Sequence, residues 1–182
     1  MDDNGDFVIA WSNIGGSTSY DVYAQRYSAS GVALEGNVRV NTQTAGSQKY
    51  PLVAMDADGD FVVTWTGFRQ DIPEWSDVYA RKFNHSTSAW GSDFIVNTHQ
   101  GGTHYRSSIA MGPQGEFVIA WTSTIQEPPK PFKFVDSGIY AQRFNAAAQP
   151  QGQEFHVNTE TDGSQGFPSV SMNAVREFVI TG

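Results

Sequence analysis

The chain has 182 residues, enough for one ordinary domain with a core, and its 39% hydrophobic and 13% aromatic content belongs to a folded protein. Its charge is acidic, net -8, and its few lysines and arginines do not cluster, which argues against nucleic acid as a partner. The absence of cysteine excludes disulfides, thiol catalysis and cysteine-ligated metals, and no apolar run is long enough for a membrane-inserted helix.

Taken in chain order, the first element is the motif MDDNGDFVIAW, starting at Met1, and it returns three times. The other copies start at Met55 (MDADGDFVVTW), Met111 (MGPQGEFVIAW) and Met172 (MNAVREFVITG). The motif phenylalanines, Phe7, Phe61, Phe117 and Phe178, lie 54, 56 and 61 residues apart. Next comes Tyr23-Ala24-Gln25-Arg26-Tyr27, repeated at Tyr79 and Tyr140, and then Val40-Asn41-Thr42, repeated at Val96 and Val157. Three landmarks in step define a repeat, with units at 1–50 (partial), 51–106, 107–167 and 168–182 (partial) of a single domain. Met1 is itself the methionine of the repeat, so the chain reads as a stretch of a longer protein with an export signal upstream.

Within the second unit, β-rich runs bounded by turn residues predict strands at 51–55, 61–65, 77–83 and 93–97, paired in that order from the inside outwards. No helical periodicity appears, and strands such as Phe61-Val62-Val63 are apolar on both faces. About 45 to 60 residues holding four antiparallel strands is what a β-propeller blade requires. Tandem sandwiches or other β repeats are the alternative. The expected fold is all-β, with about three and a quarter repeats forming an incomplete or oligomer-completed ring.

Three sets of residues are candidates for function. The Asp-rich turns, Asp2 and Asp6 in the first copy and Asp56, Asp58 and Asp60 in the second, offer hard oxygen ligands to calcium. Asp-Gly is also favoured in hairpin turns on its own account, and the later copies lose acids, so the plain turn is the favoured reading. The link between units carries an aligned polar triplet ending in Gln48, His104 and Gln165. It serves either as a repeated ligand pocket or, as the favoured reading, to satisfy buried backbone groups at a bend. The four histidines are read as surface or loop residues. The loops after the Trp strands vary most in length, and Trp75 and Phe132 in them offer exposed aromatic faces for a sugar ring or a protein partner.

The repeat text VYAQRY, VNT and MDADGDFVVTW resembles tandem repeats of very large bacterial secreted or cell-surface proteins, over nearly the whole chain. It is more distantly similar to integrin-α-type propellers and to the Asp-box turns of sialidase-type propellers. The resemblance implies a secreted or cell-surface location. The expectation is a noncatalytic extracellular adhesion module binding carbohydrate or protein on its loop face, with no cofactor unless calcium, and homo-oligomers through open blade edges. The alternatives are a structural spacer and a glycosidase-type propeller fragment.

Overall fold

The computed structural model of the chain describes residues 1–14, 19–72, 74–124, 136–160 and 162–182. Those residues are all-β, with fourteen strands and no helix. The first sheet has the order β1 (Phe7–Asn13), β2 (Asp21–Tyr27), β3 (Val38–Arg39). The second runs β4 (Gln48–Met55), β5 (Phe61–Phe68), β6 (Ser76–Asn84), with β7 (Ala89–Trp90) and β8 (Phe94–Ile95) both on the outer edge of β6. The third runs β9 (His104–Met111), β10 (Phe117–Ser123), β11 (Gly138–Phe144), β12 (Phe155–His156). The fourth is the pair β13 (Ser169–Met172) and β14 (Phe178–Thr181). Among the described residues every pairing between these strands is antiparallel, and all but that of β8 join strands consecutive in the chain, as the repeat predicts.

Two details differ from the sequence expectation. The outermost run is split, because the turn after β6 folds back as β7 before β8 takes the expected place beside Tyr79 and Ala80. The second and third sheets also begin three residues before positions 51 and 107, since Gln48 already pairs with Gly67 and His104 with Ser123. The last residue of each of these two links is therefore the first of the inner strand, whereas β13 begins four residues after Gln165.

The sheets stack in sequence, with β1 against β4, β5 against β9 and β10 against β13, and the strands β4, β9 and β13 also contact their counterparts in neighbouring sheets. Alternation along each strand decides the packing. In β5, Phe61, Val63 and Trp65 join Phe83 and meet Val22, Ala24 and Val40 of the first sheet. On the opposite face Val62, with Val78, Ala80 and Val96, meets Phe117, Ile119, Trp121, Tyr140 and Phe144 of the third sheet. The third sheet then offers Val118, Ala120, Ile139 and Ala141 to Val170, Phe178 and Ile180. Each interface thus sets a large, aromatic face on a small or β-branched one, a complementarity that suits close packing between twisted sheets.

Directly opposed aromatics hold the strand register: Phe61 stacks on Phe83 and Phe117 on Phe144, each pair at 4.8 Å. Such pairs contribute about 0.5–1.5 kcal/mol beyond the area they bury. The outer strand is pinned by an asparagine. Asn97 accepts the Val78 N–H (2.8 Å) and donates to Asp77 Oδ1 (2.8 Å) and the His99 carbonyl (2.9 Å). Asn41 makes the same three bonds to Val22, Asp21 and Gln43.

Candidate functional site

The Asp-rich turns are closed by their own carboxylates. Asp56 Oδ1 accepts the N–H groups of Asp58 (3.1 Å) and Asp60 (2.9 Å), and Asp2 Oδ1 accepts those of Asn4 and Asp6 (both 2.9 Å). Asn173 does the same in the fourth copy, so the geometry asks for an Asx oxygen rather than a charge. Burial, with the Asp60 charge beside it, holds the Asp56 carboxyl above its usual range. Asp60 is taken up by Lys82 (2.8 Å) and the His85 N–H (2.8 Å), and Asp6 accepts the Ala29 N–H (3.0 Å). Asp58 is exposed. Among the described residues, no three His, Asp or Glu side chains converge where a metal ion could be held.

The link residues face inward. Gln48 is buried, accepts the Trp65 indole N–H through Oε1 (2.9 Å) and donates to the Ala45 carbonyl (3.3 Å). Gln165 accepts from Asn158 Nδ2 (3.2 Å) and donates to the Asp162 carbonyl (3.1 Å). His104 is not a surface residue as expected but fully buried, with Nε2 3.2 Å from the Gly101 carbonyl, and burial pushes its pKa below the usual value. It stands where the neighbouring repeats have glutamine, so it inherits an interior place. Of the loop aromatics, Trp75 also differs from expectation. Trp75 is half-buried, 3.6 Å from where a side chain on Gly101 would begin, with the Arg69 guanidinium 5.7 Å over its ring. It is therefore no free platform. Phe132 lies outside the described residues.

What the structure does bring together is the first link and the loop after β5. Gly46, at φ 75°, passes so close to the Phe68 carbonyl that any side chain would collide with it, and the Phe68 N–H bonds the Ser47 carbonyl (2.8 Å). The result is an open cleft of about 530 Å³ between Gln43, Ala45 and Gln48 on one side and Phe68–Asp71 on the other, with Tyr79 beside Gly67. A second hollow of about 400 Å³ shares Phe68, Arg69 and Gln70 and reaches Lys49. Arg69 grips Asp71 with two bonds (3.2 and 2.9 Å), which hold the Asp71 carboxyl below its usual range. Lys49 Nζ lies 4.4 Å over the Tyr20 ring and 5.8 Å over that of Phe68.

Two residues beyond Gln48, His104 and Gln165 the sequence reading missed a recurrent feature. Tyr50, Arg106 and Phe167 adopt left-handed backbone, at φ 58°, 53° and 58°. Bulky residues cost about 1–3 kcal/mol there, and at Tyr50 and Phe167 the following prolines, Pro51 and Pro168, disfavour it further. The neighbouring sheet enforces the bend: Thr66 Oγ1 accepts the Arg106 N–H (3.3 Å) and Thr122 Oγ1 the Phe167 N–H (3.1 Å). Aligning the three links would have shown that Tyr, Arg and Phe occupy one position, though not the backbone they adopt.

No protein-family model matches the chain, and no curated protein does. Among solved structures it is similar to a thermostable family-43 glycoside hydrolase, with a TM-score of 0.57, 12% identity, and 97% of this chain and 61% of the other covered. It is also similar to an α-L-arabinanase of Penicillium chrysogenum complexed with arabinobiose, with a TM-score of 0.56, 14% identity and 97% and 53% coverage. A protein of unknown function from Dyadobacter fermentans matches at a TM-score of 0.54, with 13% identity and 92% and 42% coverage. The likeness is one of fold. The chain is all-β and propeller-like, and it spans 42% to 61% of the length of these structures.

Proposed function

We propose that the chain is a noncatalytic carbohydrate-binding module whose ligand face is formed by the inter-repeat links and the loops after the Trp strands. The observation that carries this reading is the cleft between Gln48 and Arg69, where amides, a cation and aromatic rings share one open hollow. Sugars are bound by that mixture of planar apolar surface and fixed polar groups. The reading extends to an extracellular, adhesive role in a bacterial surface protein, supported by the resemblance of the repeat text alone.

The glycoside hydrolases among the structural neighbours favour a second reading, that of an enzyme. Hydrolysis of a glycoside needs two carboxyl groups across the bond, one of them held protonated. The cleft offers Asp71, and the Arg69 guanidinium pushes its carboxyl down rather than up. Binding without turnover fits that chemistry better.

Calorimetric titration with arabino- and galacto-oligosaccharides, alongside a reducing-sugar assay, tests the proposal. The expected result is binding that weakens about tenfold, or about 1.4 kcal/mol, in Arg69→Ala, with no sugar released. Removing an exposed ion pair costs little stability, so the melting temperature stays put. Absence of binding to every neutral and acidic oligosaccharide tried, or steady release of reducing ends, overturns it.

A further inference from the structure

We infer that Tyr50, Arg106 and Phe167, strained residues at the entry to the inner strands, together with Lys49, form an anchor for an acidic, uronate-type sugar on that same face. The inference rests on the face being a carbohydrate face and adds which sugar it takes.

Each of the three residues follows its link by two positions, Tyr50 within β4, Arg106 within β9 and Phe167 two residues before β13, and Tyr50 lies next to Lys49, which lines the hollow beside the cleft. Arg106 and Phe167 come from adjacent sheets, yet the guanidinium lies 4.0 Å over the Phe167 ring. These two positions therefore meet across the sheet boundary. Phe167 nonetheless keeps 65% of its surface exposed and Tyr50 57%, so aromatic surface is left uncovered.

Backbone economy supports use of the side chains. Glycine adopts φ near 55° without strain, and it fills most left-handed turns of the described residues, among them positions 5, 59 and 115; Ser88, Ala148 and Arg176, the other exceptions, sit in hairpin turns. At the inner-strand bend the chain instead holds two aromatics and an arginine in an unfavourable conformation. None of the three is buried, so packing of the core does not explain them.

Charge then selects the ligand. In a chain of net charge -8, neither Lys49 nor Arg106 has a carboxylate partner among the described residues; both lie against aromatic rings instead. A guanidinium backed by a ring matches a carboxylate in a bidentate way, while the ring flanks accept the apolar face of a pyranose. A uronate residue supplies both, and a neutral sugar only the second.

The test compares oligogalacturonate with neutral galacto-oligosaccharide of equal length, by calorimetry at two salt concentrations. The wild-type chain is expected to bind the acidic oligomer more tightly, with affinity falling as salt rises. Arg106→Gln should lose about tenfold for the acidic oligomer and leave the neutral one unchanged. Phe167→Gly should weaken both while keeping or raising the melting temperature, because glycine relieves the backbone; a merely structural role would lower it. Equal affinity for both oligomers, or an Arg106→Gln variant that still prefers the acidic one, overturns the inference. In that outcome the wider proposal stands if the neutral oligomer binds with sensitivity to Arg69→Ala. If neither oligomer binds, both fall.

Discussion

His104 shows how a repeat assigns work to a residue whose chemistry does not suit it. In the second sheet the buried Trp65 N–H is satisfied by Gln48; in the third, His104 holds the glutamine position and Trp121 the tryptophan position. There, Trp121 Nε1 and His104 Nδ1 are both buried with no partner among the described residues. His104→Gln should restore the bond and raise stability by about 1 kcal/mol, read as a higher melting temperature at pH 7. The pH dependence carries a sign. The folded pKa of His104 lies below its ordinary 6.5, so the unfolded chain takes up the proton first. Its contribution is intact above pH 6.5 and declines as pH falls below it. The variant should therefore lose less stability than the wild type between pH 6.5 and 5.5. Equal slopes over that window would refute the assignment. From the sequence, histidine in a polar link reads as a loop residue, because a link's last residue is not visibly the first of a buried strand.

At the scale of the element, most of the strand pattern was legible and the bend in the inner strand was not. The doubly apolar, β-rich run from Phe61 and the recurring Val-Asn-Thr text, each bounded by turn residues, give strands, order and pairing, since each follows from residue type and turn chemistry. The left-handed bend at Arg106 and Phe167 is held by threonines of the preceding sheet, 40 and 45 residues away in sequence. No local signal records it. The asparagine that fixes the outer strand also varies in what it supports. Asn97 is buried and caps the Asp77 carboxylate, whereas Asn158 is half-buried and the matching position is Gly138. Asn97→Ala leaves a buried carboxylate and a strand N–H without partners, for a loss of about 2–3 kcal/mol, against about 1 kcal/mol for Asn158→Ala. Chemical denaturation of the two variants gives the ranking directly, and an inverted order would show that Asp77 is satisfied by other means.

For the whole molecule, the stack of sheets leaves two unlike faces at its ends. The face of β1 carrying Phe7, Ile9 and Trp11, with Tyr27 and Tyr23 stacked beside them, is of the large aromatic type that β5 and β10 bury against a preceding sheet. On β14, Phe178 and Ile180 pack inward on the third sheet, which turns Val179 outward at 58% exposure, the small type of face. Large meets small at every internal boundary, so the two end faces are complementary to each other and not to themselves. β1 and β14 also each have one side unpaired among the described strands. A head-to-tail contact of this kind is heterologous and builds rings or filaments rather than a twofold dimer. The 182-residue chain is therefore expected to associate with rising concentration, seen as a growing mass by light scattering. Ile9→Lys places a charge in the middle of the large face, at a residue 47% exposed in the single chain, so it should abolish association without lowering the melting temperature measured in dilute solution. Val179→Lys should act in the same way from the opposite end, and a mixture of the two variants should stay monomeric apart from pairs formed between one intact end of each. Association that survives either substitution, or that stops sharply at a twofold dimer, would mean that these end faces are not the joint.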